Sequence, residues 1–171
     1  MIPSLIRVRR PTATRWFSTA FCAIVCLAAG CATGPGRQSG IDALHVFSAP
    51  VAIDLDGLPG PDGFGLTLYA SKAARTKGVP ITRGRLEILM FDGVLPADAP
   101  TDAQPRRTWT FTTADLKKHA FRSSLGTGYR FTPRWADTPP LGNNITILTR
   151  LVSSPQTSVQ SAPTTIAVTT K

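Results

Sequence analysis

Three carboxylates crowd one short stretch, Asp54-Leu55-Asp56-Gly57-Leu58-Pro59-Gly60-Pro61-Asp62-Gly63. Oxygen ligands on a Gly- and Pro-rich loop are what Ca²⁺ requires, which makes Asp54, Asp56 and Asp62 the candidate metal ligands. The spacing follows an Asp-x-Asp-x-Asp-Gly loop only at its start, because position five is Leu58 and position twelve, where a bidentate glutamate belongs, is Gly65. The plainer account is a turn between two strands, in which Asp and Gly accept unusual backbone angles. A second candidate pair, Asp115 and His119, stands four residues apart, so on a helix the two share a face and could act as base and orienter or as metal ligands. The other histidine, His45, is remote in sequence, and a catalytic zinc would lack a third ligand. Decoration of a helix surface accounts for the pair equally well. Tyr69, Trp109, Tyr129 and Trp135 offer rings on which a sugar could stack. Trp109 and Tyr129 alternate with polar residues as core residues do, whereas Trp135, between Arg134 and Ala136, is expected at the surface and is the candidate ligand contact.

Other catalytic signatures are missing. Ser123-Ser124-Leu125-Gly126 has neither the strand-to-helix setting nor the flanking glycines of a nucleophile elbow, and no Gly-rich phosphate loop occurs. Glu87 is the sole glutamate and falls opposite the core face of its strand pattern, so a paired-carboxylate glycosidase would have to be assembled from scattered aspartates. No enzymatic activity and no cofactor are expected, with Ca²⁺ as the alternative.

The chain opens with Arg7, Arg9, Arg10 and Arg15 and no acid, followed by an uncharged stretch from Trp16 to Ala29. A basic segment followed by a short apolar one is the grammar of export. As a helix the apolar stretch would reach only about 20 Å, short of the ~30 Å hydrocarbon core, so removal rather than permanent membrane spanning is expected. Pro11-Thr12-Ala13 behind Arg9-Arg10 favours the general secretory route over a twin-arginine signal. The segment Leu27-Ala28-Ala29-Gly30-Cys31 resembles the lipobox of bacterial lipoproteins, with Ala28 where that family most often carries leucine. The resemblance implies cleavage between Gly30 and Cys31 and transfer of a diacylglyceryl group to the Cys31 sulfur. Two or more acyl chains then make a firm anchor. Ala32 in second place, where retained inner-membrane lipoproteins often carry aspartate, points to the outer membrane of the cell envelope.

Removing residues 1–30 takes four arginines and two of the three cysteines, Cys22 and Cys26. The mature chain has no cysteine pair to form a disulfide, so its stability must come from a packed core. It carries fifteen bases against ten acids, dispersed along the sequence rather than bunched in a run. Solvated faces account for such a distribution, and nucleic acid is not an expected partner. The expected partners are the membrane, through the lipid anchor, and other envelope proteins. Attraction to anionic headgroups or surface polymers is compatible with the charge.

The elements that must position these residues read as strands. Ala32 to Gly40 has the composition of a tether, and from Leu44 onward short runs alternate with period two between Gly, Pro, Asp and Asn. Such runs fall at 51–55, 64–70, 86–90, 108–112, 129–131, 145–147 and 166–168. One helical segment, Thr113–His119, is capped by Thr112 or Thr113, with Asp115 at its positive end and lysines at its negative end. The expectation is a signal peptide over 1–30, a lipidated tether over 31–40 and, over 41–171, an all-β domain: one β-sandwich of seven or eight strands, immunoglobulin-like or transthyretin-like, with one short helix. A partly open barrel is the alternative. The domain resembles uncharacterised small immunoglobulin-like lipoproteins in pattern, without a diagnostic motif.

Overall fold

The computed structural model describes residues 40–73, 75–96 and 103–168. The expected signal segment over 1–30, Cys31 and the expected tether up to Ser39 lie outside the described residues. Two antiparallel sheets face one another. In chain order the elements are β1 (Ala43–Ser48), β2 (Leu66–Ser71), β3 (Arg85–Asp92), β4 (Arg107–Thr112), α1 (Thr113–His119), β5 (Ala120–Ser123), β6 (Gly126–Phe131), β7 (Asn144–Ser154), β8 (Thr157–Gln160) and β9 (Thr164–Ala167). One sheet runs β1-β2-β6-β5 and the other β4-β3-β7-β8, with β9 also paired to β7. Since β8 pairs with residues 150–154 of the long β7 and β9 with residues 144–147, the two short strands lie end to end along one edge. Among the described residues nine strands therefore occupy eight positions, and their order is the A-B-E-D and C′-C-F-G order of an immunoglobulin sandwich. The sheets do not close into a barrel.

Alternation does the packing. Leu66, Leu68 and Ala70 of β2 point inward against Leu86, Ile88 and Met90 of β3 and Ile145, Ile147 and Leu151 of β7, all buried in one cluster. Strand β3 is buried on its other face as well, because Leu89, Phe91 and Leu148 lie under Leu95 and Ala103 of the β3–β4 connection. The segment 51–55, expected as a strand, makes only isolated bridges, from Val51 to Ala167 and from Ile53 to Gly63. Its alternation is interrupted when the Asp54 carboxylate accepts the N–H groups of Asp56 and Gly57 and turns the chain. Strand β1, β5 and β8 were not marked by the alternation, being short and at sheet edges.

Helix α1 follows its local chemistry. Thr112 is the N-cap, its hydroxyl accepting the Asp115 N–H while the Asp115 carboxylate accepts the Thr112 N–H, a reciprocal box that satisfies donors at the first turn. Leu116 is its buried residue.

Among the described residues two buried hydroxyls lack a hydrogen-bond partner, those of Thr149 and Ser153, and the first lies deep in the core. Thr149 is fully buried on the inward side of β7, opposite Ile88, and its hydroxyl has no hydrogen-bond partner. Such a group costs about 1–3 kcal/mol, so Thr149→Val, which keeps the shape, is expected to stabilise the fold by about 1 kcal/mol. In a thermal melt that is a rise of roughly 4 °C.

Candidate functional site

The β1–β2 connection brings the three aspartates together. One carboxylate oxygen from each of Asp54, Asp56 and Asp62 falls within 4.8 Å of the others, with Asp54 and Asp56 exposed and Asp62 half-buried. The loop holds itself in this shape through the same groups. Asp54 Oδ1 accepts the Asp56 N–H at 3.1 Å and the Gly57 N–H at 2.7 Å, Asp56 Oδ1 accepts the Leu58 N–H at 2.9 Å, and Asp62 Oδ1 accepts the Leu55 N–H at 2.7 Å. Gly57 and Gly60 take positive φ, which lets the chain reverse between the carboxylates. Arg134 reaches in from the β6–β7 connection, its guanidinium 3.7 Å from Asp62 Oδ2 and donating to the Leu55 carbonyl at 2.5 Å. The loop thus combines three converging carboxylates with one protein cation already at their edge. Chemically it can hold a hard divalent ion through three side chains, leaving the remaining oxygen positions to water or backbone carbonyls.

Asp115 and His119 are engaged separately. Hydrogen bonds from the Thr112 hydroxyl, at 2.7 Å, and the Thr112 N–H hold the Asp115 carboxyl below its usual range. His119 donates from Nδ1 to the Arg130 carbonyl at 3.0 Å and packs its ring on Phe111 and Phe131. Helical spacing places them on one face, but each has a structural occupation. A cleft of about 330 Å³ lies beside the helix, lined by Pro80, Ile81, Leu116, Lys117 and Tyr129 among others.

The expected exposure of Trp135 is overturned. The residue is 3% exposed. Its ring stacks on Phe64 at 6.5 Å, and Phe64 in turn meets the Trp109 ring edge-on at 5.6 Å. The Trp135 backbone N–H donates to the Asp62 carbonyl at 3.1 Å, and the Trp135 carbonyl accepts from the Thr138 N–H and the Arg107 guanidinium. A large ring beside an open core edge buries more apolar area inward than its polar neighbours suggest, and no ring face is left for a sugar. Tyr129 is likewise buried, with its hydroxyl accepting the Ile81 N–H at 2.6 Å.

The chain matches no protein family, no curated protein and no solved structure. Among the described residues no helix is long and apolar enough to cross a membrane.

An outward row of rings exists that sequence reasoning did not assemble, with Phe47 exposed and Tyr69 and Phe121 half-buried. On the outer side of the β1-β2-β6-β5 sheet, Tyr69 lies between Phe47, at 6.0 Å, and Phe121, at 5.9 Å, and the Arg130 guanidinium sits 5.1 Å over the Phe121 ring. Gly128 makes the row possible, because a Cβ there would meet both Phe121 and Tyr69 closer than 3 Å. Three residues from three strands carry no common sequence signature.

Proposed function

We propose that the chain is a lipoprotein of the cell envelope, held on a membrane by acylated Cys31, whose sandwich serves as a non-catalytic structural or interaction module. The observation that carries this reading is the run Leu27-Ala28-Ala29-Gly30-Cys31 behind a basic and then apolar segment. The separate engagement of Asp115 and His119 supports the non-catalytic part. Ala32 supports the outer membrane as the address. The test is intact mass and membrane fractionation of the native protein beside Cys31→Ser. The native mass is expected to begin at a diacylated Cys31 and to follow the membrane, while Cys31→Ser leaves it; an unlipidated, soluble native protein would refute the anchor.

A second reading, a divalent cation held by Asp54, Asp56 and Asp62, is favoured by the convergence of their oxygens within 4.8 Å. A ligand that binds only the folded state stabilises it by about 2.7 kcal/mol at a hundred times its dissociation constant. Millimolar Ca²⁺ is therefore expected to raise the melting temperature by several degrees, and the rise is expected to vanish in Asp56→Ala. An unchanged melt at millimolar Ca²⁺ removes this reading.

A further inference from the structure

We infer that the end of the sandwich at which the chain enters from Cys31 docks on anionic lipid headgroups. The inference rests on the proposed acylation of Cys31, which brings that end near a bilayer: the nine residues from Cys31 to Ser39 span at most about 30 Å even when fully extended. Gly40 then leads directly into β1.

The antiparallel register sets Ala43, at the start of β1, opposite Ser71, at the end of β2. The connection that follows β2 therefore lies at the entry end, and the Lys72 ammonium sits beside Gly40. Gly78 pairs alongside Gly126, its N–H donating to the Leu125 carbonyl at 2.7 Å while its carbonyl accepts the Thr127 N–H at 3.0 Å. This zips the connection onto the tip of the β5–β6 hairpin. The closeness is specific to glycine, since a Cβ on Gly126 would meet the Gly78 backbone at 2.4 Å and its φ is +100°. As a result Lys72, Arg75, Lys77 and Arg122, all exposed, gather around the hairpin that carries Leu125, whose side chain is 58% exposed.

The charges at the two ends differ in kind. Among the described residues none of these four cations forms an ion pair, and the acid beside them, Asp42, accepts the Ala73 N–H at 2.8 Å. Asp54, Asp56, Asp62, Asp92 and Asp137 fall on the connections at the opposite end, where Arg106, Arg107 and Arg134 each pair with an aspartate. The described domain is dipolar, with the unpaired Lys72, Arg75, Lys77 and Arg122 at the end where the chain enters β1 and the aspartates at the other. One exposed leucine on a hairpin beside unpaired cations is the chemistry of interfacial binding, the charges supplying most of the attraction within a Debye length, about 8 Å, of the phosphates and Leu125 entering the headgroup boundary.

The test uses the chain from residue 31 onward carrying Cys31→Ser, so that no acyl chain contributes. It is mixed with vesicles of phosphatidylglycerol in phosphatidylcholine and, separately, of phosphatidylcholine alone, and cosedimentation is measured with rising salt. Binding is expected to the anionic vesicles only, to weaken with salt, to fall more than about tenfold in the combined Lys72→Glu, Arg75→Glu, Lys77→Glu variant, and to fall severalfold in Leu125→Ser. Equal retention on both vesicle types overturns the inference, as does unchanged binding by the charge-reversed variant. Retention on an immobilised carboxylated polysaccharide with none on the vesicles overturns it in favour of a polymer ligand. The intact mass of the native protein reports separately on the anchor, so an unacylated native chain whose Cys31→Ser form still binds anionic vesicles refutes the anchor and leaves the docking end standing.

Discussion

Trp135→Ala is expected to lose about 3–5 kcal/mol of stability, the cost of emptying a buried indole site in a core that cannot fully collapse. The ring stacks on Phe64, itself fully buried, and through it touches Trp109, so the cavity opens at the junction of both sheets with the β6–β7 connection. Urea unfolding is the measurement, with Trp135→Phe restoring most of the loss and the slope of the transition unchanged. The effect extends to the aspartate loop. The Trp135 backbone N–H, which the substitution keeps, bonds the Asp62 carbonyl, so a backbone that shifts around the emptied site is expected to lower the Ca²⁺ affinity of the loop as well. A fully stable Trp135→Ala that had lost a sugar ligand would instead place the ring at the surface and restore the glycan reading.

Glu87→Ala is expected to cost about 2 kcal/mol, and the fold's acid limit should move with it. Glu87 stands on the outer side of β3 with its side chain only 7% exposed, between Arg85 at 2.8 Å and Arg150 at 2.7 Å. Burial by itself disfavours the carboxylate, but the hydrogen bonds and charges of Arg150 and then Arg85 outweigh it, and the group titrates below its usual value. Removing it leaves two arginines facing one another across adjacent strands; both are partly exposed, so the cost stays below that of a fully buried broken pair. A depressed folded pKa contributes stability that is present above the unfolded value, near 4.5, and is lost as pH falls through the folded one. Melting temperature should therefore drop more steeply below about pH 4.5 in the unsubstituted protein than in Glu87→Gln, which begins lower and stays flatter. Parallel acid limbs would show that the pair carries no net stability.

Much of the fold was legible because strand patterning is local. Residues 66–70, 86–90 and 108–112 alternate along their own length, and each lies in a strand with its apolar side inward. The helix was legible for the same reason, since the Thr112 and Asp115 box needs only four consecutive residues. The segment 51–55 misled because alternation is also produced by Asx turns, and the competing hydrogen bonds of Asp54 and Asp56 prevailed. The gathering of Asp54, Asp56 and Asp62 was readable from their spacing, whereas Arg134 at their edge comes from 72 residues beyond Asp62 and left no trace.

Sequence alone carried the address proposed for this chain, the all-β class and the position of the helix at Thr113–His119, because each depends on residues adjacent along the chain. Tertiary structure decided the rest. It buried Trp135, set Glu87 between arginines from its own strand and from β7, and aligned Phe47, Tyr69 and Phe121 across three strands. It also sorted charge that is dispersed in the sequence into a basic and an acidic end. The physical reason is the antiparallel sandwich itself: each chain reversal returns to one of two ends, so loops far apart in sequence share a surface, and their charges add in space where they never met along the chain.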